Sequence, residues 1–442
     1  MFAVKRISKL LCLFLTALLL SGCAMQAVDD LYCLPKRSED YHNLQEALDR
    51  VMSGLEFCAP LSGENLQTIQ MKDLDGDGIS EYLLFAKGNT EKPLHILIFR
   101  QEKGEYILSD TIQSSGAAFD LVEYARMDDR PGYELIVGNQ VSNQVTRSVA
   151  VYTFNEGKAS ALMQANYTKF VTCDLNADGR NGLLVLHPGE SAEDHGIAEV
   201  YTYQNGAMER SNQTSMSESA DRMKRIISGK LHGGQPAVYV ASAVGESAII
   251  TDVFALVDGQ FANVSFSNES GTSVQTLRNY YVYADDIDDD GTIELPDLIN
   301  MQIPAGNNEA TMQYLIRWYA MTASGDEVVK QYTYHNFQSG WYLHLDDEYA
   351  RRIAVIQLGN TYEFYLWDAE FLKAEKLMTI YALSGKDRDE QARINNRFIV
   401  YKGDSIIYAA NLEVASASLG ITRDSMIKNF HLIHLDWKTG ET

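Results

Sequence analysis

The feature that most constrains the fold of this chain is a short acidic loop, followed by an apolar run, that recurs about every 50 residues. The clearest copy is DLDGDGISE at 73–81, which leads into YLLF at 82–85. Further copies begin at residues 126, 174, 230 and 286, and the same spacing then reaches 344 and the strand-like 398–401. A repeat of this length is typical of propellers and solenoids, in which each unit has too little core of its own and packs on its neighbours.

The residues between two successive loops read as four short strands separated by turns. After 82–85 come apolar runs at 94–99, 106–108 and 119–124. Four strands per unit is the content of one propeller blade. The chain is therefore predicted to be all-β, a β-propeller of about seven blades in which 66–71 completes the last blade and closes the ring.

Two segments depart from the strand pattern. Within 41–54, Leu44, Leu48 and Val51 recur at helical spacing, which predicts a short helix before the repeats. The stretch 414–430 reads as partly helical, so the last unit is expected to be atypical. The predicted organisation is a signal peptide at 1–22, a lipidated N-terminus with linker and helix at 23–65, propeller repeats at 66–397, and an atypical final blade at 398–442.

The loop and its following apolar strand, repeated at this period, resemble the FG-GAP and VCBS repeats of integrin-alpha-like β-propellers. The resemblance covers roughly residues 66–400, where two loops match well and a third matches in part. The whole chain looks like the lipoproteins of Gram-positive clostridia that carry such repeats. Because this family binds many different ligands, the resemblance implies architecture more than activity.

Two of the loops carry oxygen ligands at the positions that calcium needs. Calcium takes six to eight oxygens, and carboxylates at positions 1, 3 and 5 of a tight turn point inward. A glycine at position 6 permits the bend, position 7 offers its carbonyl, and position 9 adds a carboxylate. The predicted metal ligands are Asp73, Asp75, Asp77, Ile79 (carbonyl) and Glu81 in the first loop, and Asp286, Asp288, Asp290, Thr292 (carbonyl) and Glu294 in the fifth.

An EF-hand is the first alternative, but it needs an acid at position 12 and then a helix. In the first loop position 12 is Leu84, inside a strand-like run, and no helical pattern follows the fifth loop. A plain acidic turn is the second alternative, although at least four carboxylates within nine residues repel strongly without a cation. The sequence therefore predicts calcium as the cofactor.

The other loops are less complete. The third has Asp174, Asn176 and Asp178, with Gly182 at position 9, so a metal site and an acidic turn both stay open there. In the second loop Arg126 and Arg130 take positions 1 and 5, beside Asp128 and Glu134, where a guanidinium could replace the ion or the four side chains could form a solvated charge cluster. The fourth loop, 230–234, has no acids and is expected to bind no metal.

The first residues predict export and a lipid anchor. Three basic residues precede an apolar run at 10–20, which as a helix spans only ~16 Å, about half the hydrocarbon core. This is typical of a signal peptide rather than a membrane span. The run ends in LSGC, which resembles the lipobox of bacterial lipoproteins and implies that Cys23 is lipidated and becomes the mature N-terminus. A plain signal peptide cleaved nearby is the alternative.

The net charge of the chain and the absence of common catalytic and nucleotide-binding motifs argue against several classes of function. The formal net charge is −23, so nucleic acid and anionic lipid are poor partners. There is no His-Glu-x-x-His, P-loop, dinucleotide fingerprint or Gly-x-Ser-x-Gly elbow.

Cys33 and Cys58 could pair, which would leave Cys173 alone. The tryptophans Trp318, Trp341 and Trp367, with the tyrosines around them, are expected to pack between sheets, with sugar stacking as the alternative, and His335 and His344 are expected to be structural.

The resulting hypothesis is a surface-exposed calcium-binding lipoprotein on the extracytoplasmic face of the cell membrane. It would act as a non-catalytic binding or adhesion module for a glycan or protein. The alternatives are a propeller-type polysaccharide-degrading enzyme, and an accessory scaffold of an envelope complex.

Overall fold

The computed structural model describes residues 39–141, 147–189, 194–279, 282–302, 313–370 and 372–433. Within them the chain forms six antiparallel sheets of four or five strands that follow one another along the sequence, consistent with a β-propeller-like fold. The predicted signal peptide, Cys23, Cys33 and Trp437 lie outside the described residues.

The strands of each sheet are nearly consecutive in the chain. The first three sheets comprise β1 (Leu55–Phe57), β2 (Ile69–Lys72), β3 (Glu81–Gly88), β4 (Leu94–Glu102) and β5 (Glu105–Ser114); β6 (Ala118–Ala125), β7 (Glu134–Gln140), β8 (Arg147–Asn155) and β9 (Lys158–Tyr167); and β10 (Lys169–Cys173), β11 (Gly182–His187), β12 (Ile197–Gln204) and β13 (Ala207–Ser215). The fourth sheet comprises β14 (Met223–Lys230), β15 (Pro236–Val244), β16 (Ala248–Val257) and β17 (Gln260–Asn263).

The last two sheets recruit strands from the end of the chain. They comprise β18 (Glu294–Asn300), β19 (Tyr314–Met321), β20 (Glu327–Asn336), β21 (Trp341–Leu345) and β27 (Phe430–Leu432); and β22 (Ile353–Leu358), β23 (Thr361–Trp367), β24 (Ala374–Ser384), β26 (Ile406–Leu412) and β25 (Phe398–Lys402). The α-helices are α1 (Glu39–Val51), α2 (Arg388–Gln391) and α3 (Arg423–Asn429), and a 3-10 helix spans Val414–Leu419. The predicted short helix before the repeats and the partly helical 414–430 are thereby confirmed.

The inner strands of each sheet are apolar on both faces because neighbours cover both faces. The runs 83–86 and 183–186 are fully buried, whereas in the edge strand β5 only Tyr106 and Ile112 are buried. This explains why the sequence after each loop reads as a continuous apolar run rather than an alternating one.

Separate apolar clusters fill the space between successive sheets. Leu83 and Phe85 of the first sheet meet Phe119 of the second, and equivalent clusters join each later pair of neighbours. Between the fifth and sixth sheets Trp341 stacks on Phe430, with ring centroids 5.3 Å apart. Trp318, Trp341 and Trp367 are all buried, which confirms that they pack in the core.

Helical segments pack on the first and on the sixth sheet, the two ends of the row of sheets. Leu48 of α1 packs on Leu84 and Phe99 of the first sheet. At the other end Ala392, directly after α2, packs on Ile407 of the sixth sheet. Within the described residues no apolar cluster joins the sixth sheet to the first, so the two ends are capped separately.

Two expectations about the ring are wrong. Ile69–Lys72 pairs with Glu81–Leu84 inside the first sheet, because the loop between them forms a hairpin, so it does not complete the last sheet. Phe398–Lys402 is an edge strand of the sixth sheet, paired with β26 through another short hairpin, and does not begin a seventh. The predicted count of about seven blades is not confirmed.

Candidate metal-binding loops

Each of the five loops leads into a strand (β3, β7, β11, β15 or β18) and is held on the core by one buried apolar side chain. The pinned residue stands at position 2, between the side chains of positions 1 and 3. It is buried in every copy: Leu74, Met127, Leu175, Leu231 and Ile287. The sequence analysis did not single out this position, although an apolar residue recurs there in all five copies. It fixes the loop on the sheet while the polar positions stay near the surface.

The first loop brings three carboxylates together. One oxygen each of Asp73, Asp75 and Glu81 lie within 4.8 Å of one another. Asp73 also accepts backbone hydrogen bonds from Gly76 at 2.8 Å and Gly78 at 3.0 Å, which close the turn. Gly76 has φ +76° and a Cβ there would lie 2.7 Å from the next loop, so the close approach requires glycine.

The two remaining predicted ligands of this loop stand apart from that group. Asp77 accepts the backbone N–H of Ile79 at 2.7 Å, so its carboxylate is engaged in its own turn. Ile79 itself is exposed, and no described contact places its carbonyl with the carboxylates.

Glu81 closes the first loop from below. It is 3% exposed, and its Oε2 accepts the N–H of Leu74 at 2.8 Å. Burial raises the pKa of Glu81 to about 7, and the charges of Asp75 and Asp77 raise it further. No basic side chain of the described residues contributes to that shift. The first loop therefore gathers carboxylates whose charges act against one another.

The fifth loop repeats this frame. Asp286, Asp288 and Asp290 have carboxylate oxygens within 4.8 Å of one another. Glu294 is fully buried, and its Oε2 accepts the N–H of Ile287 at 3.2 Å. Its Oε1 has no hydrogen-bond partner among the described residues. Burial raises the pKa of Glu294 to about 8, and the charges of Asp288 and Asp290 contribute.

A lysine from another strand partly neutralises the fifth loop. Nζ of Lys330, on β20, lies 2.6 Å from Oδ2 of Asp290, and this hydrogen bond lowers the pKa of Asp290 to about 2. The predicted carbonyl ligand Thr292 donates its N–H to Asp290 at 2.7 Å. Lys330 was missed because it lies 40 residues beyond Asp290 in the sequence.

The second loop holds a guanidinium where the other loops gather carboxylates. Arg130 forms an ion pair with Asp128, in which Nε lies 2.9 Å from Oδ2, and it also contacts Thr153. Glu134 accepts the N–H of Met127 at 2.7 Å, just as Glu81 and Glu294 do in their loops. The interpretation of Arg130 as a cation substitute agrees with this contact. Arg126 is exposed.

The third loop also has an arginine. Asp178 lies 2.8 Å from Arg180 and accepts a hydrogen bond from Asn176 at 2.9 Å. Against the burial that would raise it, the hydrogen bonds from Arg180 lower the pKa of Asp178. Asp174 accepts the N–H of Gly179 at 2.8 Å. Because a guanidinium already neutralises Asp178, the third loop is the weakest of the predicted metal sites, and it stays a prediction.

The donor sets of the first and fifth loops consist of carboxylates alone. Hard oxygen donors at a flexible surface loop suit calcium better than zinc or copper, which prefer imidazole or thiolate ligands. In each of these loops the buried glutamate is also the first residue of a strand, β3 or β18. A cation held there would therefore tie the loop to the start of the strand.

No family model matches this chain, and none of the curated proteins is similar to it. The resemblance to FG-GAP and VCBS repeats thus has no family match behind it. Among solved structures the chain is similar to an exotype rhamnogalacturonan lyase, with a TM-score of 0.32, 12% identity, and coverage of 73% of this chain and 56% of that one.

A second rhamnogalacturonan lyase has a TM-score of 0.31 at 12% identity, covering 72% of this chain and 61% of that one. A protein from Lactobacillus plantarum has a TM-score of 0.26 at 12% identity, covering 72% and 86%. The chain spans less than two thirds of either lyase. Structural likeness at these TM-scores supports no conclusion about what the chain binds or does.

No helix among the described residues is both long enough and apolar enough to cross a bilayer.

Proposed function

We propose that this chain is a surface-exposed, calcium-binding lipoprotein that acts as a non-catalytic binding module for a glycan or protein. The observation that carries the proposal is that each of the first and fifth loops holds three carboxylate oxygens within 4.8 Å of one another, and that in each a buried glutamate at position 9 accepts the N–H of position 2. Glu294 leaves one buried carboxylate oxygen without a partner among the described residues. A buried carboxylate is unfavourable unless a cation or donor satisfies it, and a divalent cation would do so.

Calcium would act on the architecture rather than on a reaction. It would hold Glu81 and Glu294, and hence the first residues of β3 and β18, against the loops that precede them. The ligand-binding surface would then lie on loops whose shape depends on calcium. Millimolar calcium outside the cell is enough to fill sites with Kd of ~0.1 to 1 mM.

The proposed location follows from the N-terminal sequence. Lipid on Cys23 would anchor the module at the extracytoplasmic face, where calcium is available. Replacing Cys23 with alanine is expected to move the protein from the membrane into the soluble exported fraction. Retention in the membrane after alkaline washing would contradict the anchor.

Calcium stoichiometry is the direct test of the proposal. Equilibrium dialysis with radioactive calcium is expected to give two bound ions per chain. Asp75→Asn and Asp288→Asn should each remove one ion. Asp258→Asn, at an exposed aspartate outside these loops, is the matched control and should leave both ions in place, whereas a third ion that Asp174→Asn removes would show that the third loop binds calcium as well. Absence of bound calcium above background at millimolar concentration would overturn the metal part of the proposal.

Binding and catalysis are separated by two assays on the same preparation. A glycan array and a pull-down from the native envelope are expected to give a specific ligand. A reducing-sugar assay on the ligands found should show no release above a heat-denatured control. Release of reducing sugar by the folded chain would contradict the non-catalytic proposal and favour the polysaccharide-degrading enzyme.

A further inference from the structure

A cavity of about 860 Å³ lies between the fifth loop and the strands that close the fifth sheet. Its volume falls in the range of small-molecule binding sites, about 300 to 1,000 Å³. One wall is acidic and carries Asp285, Asp288 and Asp289. The lining also includes the rings of Tyr342 and His431, with a third ring, His344, beside them. The cavity is separate from the calcium positions of the first loop.

The acidic wall has two carboxylates beyond those that a calcium loop needs. Asp285 precedes position 1, where the first loop has Lys72, and Asp289 stands at position 4, where the first loop has Gly76. Asp289 has φ +59°, a left-handed conformation that aspartate tolerates better than most residues with a Cβ. Both carboxylates line the cavity. The fifth loop thus presents acids to this space that the first loop lacks.

The ring wall is built by pairing two strands that are distant in sequence. Tyr342 of β21 pairs with His431 of β27, and their rings stack with centroids 5.1 Å apart. His344 lies beside both, 4.7 Å from the ring of His431 and 5.4 Å from that of Tyr342. Burial lowers the pKa of His344 to about 4, so this imidazole is neutral at pH 7. Burial also raises the pKa of Tyr342 to about 12, and the charges of Asp285 and Asp289 contribute, so the two walls interact electrostatically.

We propose that this cavity binds a saccharide, with its hydroxyl groups on Asp285 and Asp289 and its apolar ring face against the exposed ring of His431, which Tyr342 and His344 hold in place. A sugar offers a rim of hydroxyl donors and an apolar ring face. The first matches carboxylate acceptors, and the second matches planar side chains. Gln331 and Asn429 also line the cavity and add amide donors and acceptors.

The inference rests on the proposed function. It selects the glycan from the two ligand classes proposed there and assigns its binding site to this cavity. Asp286 and Asp288 belong both to the calcium loop and to the cavity lining. Calcium in the fifth loop would therefore fix the acidic wall, and saccharide binding is expected to weaken in chelator. The concave shape and modest volume fit a small ligand better than a protein surface.

The test uses saturation-transfer NMR on the full chain in millimolar calcium. The probes are the methyl glycosides of glucose, galactose, mannose, rhamnose and glucosamine. At least one is expected to bind. Asp289→Asn and His431→Ala should each weaken that binding about tenfold, the loss expected when a hydrogen bond to a charged group or a ring contact is removed.

Matched controls are present in the chain. Asp258→Asn makes the same substitution at another exposed aspartate with positive φ, +50°, in the hairpin between β16 and β17. His232→Ala removes an exposed histidine from the fourth loop. Both should leave saccharide binding unchanged. Asp289→Asn lies outside the predicted ion ligands, so calcium stoichiometry should stay at two.

The outcomes separate this inference from the proposed function. Glycoside binding that neither cavity variant weakens would overturn the cavity as the site and leave the glycan-binding module standing. Two bound calcium ions with no glycoside signal would overturn the inference and leave the calcium loops standing. Glycoside binding lost in the cavity variants but present without any bound calcium would support the cavity and overturn the metal part of the proposed function.

Discussion

The first and second loops share the same hydrogen-bonded turn but differ in which group neutralises their carboxylates. In both, the glutamate at position 9 accepts the backbone N–H of position 2, at 2.8 Å for Glu81 and 2.7 Å for Glu134. The second loop then places Arg130 against Asp128. The first loop has Asp77 at the position that Arg130 takes in the second loop. Calcium dependence is therefore expected to belong to individual loops and not to the repeat as a whole.

The third and fifth loops lie between these two cases. Arg180 pairs with Asp178 and also with Asp129 of the second loop, at 2.5 Å. Lys330 reaches the fifth loop through Asp290 alone. A guanidinium offers a rigid fork of donors, whereas an ammonium is a compact charge on a flexible stem. The lysine should therefore give way to calcium more readily than an arginine would.

The largest expected effect is calcium-dependent stability. Binding to the folded state stabilises by RT ln(1 + [L]/Kd), so two sites with Kd of ~0.1 to 1 mM contribute about 2 to 4 kcal/mol at a few millimolar calcium. Thermal melting should therefore rise clearly in calcium relative to chelator. Asp75→Ala combined with Asp288→Ala should remove most of the rise. Equal melting temperatures of the unmodified chain in both conditions would show that the loops are acidic turns.

The next effect is calcium-independent and comes from the second loop. Arg130→Ala leaves the buried carboxylate of Asp128 without its cation. Losing one partner of a buried pair costs about 3 to 5 kcal/mol, and of an exposed pair about 0 to 1. Because the Arg130 side chain is 37% exposed and that of Asp128 only 1%, we expect a loss of about 2 kcal/mol in the free energy of unfolding.

Chemical denaturation of Arg130→Ala in calcium and in chelator measures this loss. Arg126→Ala, an exposed arginine in the same loop, is the matched control and should cost little. If millimolar calcium restored the stability of Arg130→Ala, the second loop would be a latent metal site and the contrast with the first loop would fail.

The sequence predicts the local parts of this comparison and misses the long-range ones. Asp73, Asp75 and Glu81 could be placed together because hydrogen bonds within nine residues set the turn. Arg130 could be recognised because it occupies a loop position. Lys330 could not, since only the pairing of β18, β19 and β20 brings it to the fifth loop.

The sequence could not predict where the last strands of the chain pair, for a similar reason. The strands after residue 397 carry ordinary apolar patterns, and nothing local indicates which sheet they join. Packing decides it: Phe398–Lys402 joins the sixth sheet, and Phe430–Leu432 joins the fifth, where Phe430 stacks on Trp341. The same long-range pairing builds the ring wall from Tyr342 and His431, so the candidate saccharide cavity left no signal in the sequence.

A smaller effect concerns Lys330. Lys330→Met removes the cation that competes for Asp290, so calcium should bind the fifth loop more tightly. Since the pair is partly exposed, the gain is at most about 1 kcal/mol, or roughly fivefold in affinity. Calorimetric titration on an Asp75→Asn background reports the fifth loop alone. Lys376→Met, which breaks a comparable pair with Glu363, should change nothing. Weaker calcium binding in Lys330→Met would mean that the lysine helps to form the site.

The smallest effect is the proton that calcium displaces. In the calcium-free protein burial raises the pKa of Glu81 to about 7 and of Glu294 to about 8, above the ordinary value of 4.5. The stability contributed by these protonated groups is fully present below pH 4.5 and is lost as the pH rises through 7 to 8. Calcium binds the ionised form, so its affinity should fall as the pH drops below that range. Near pH 7 each ion should release less than about one proton, measured by calorimetry in buffers of different ionisation enthalpy. Glu81→Gln should abolish the proton release that accompanies calcium binding to the first loop. Glu134→Gln should leave proton release unchanged, because the second loop takes no ion. Unaltered release in Glu81→Gln would mean that the proton comes from another group and that Glu81 stays ionised without calcium.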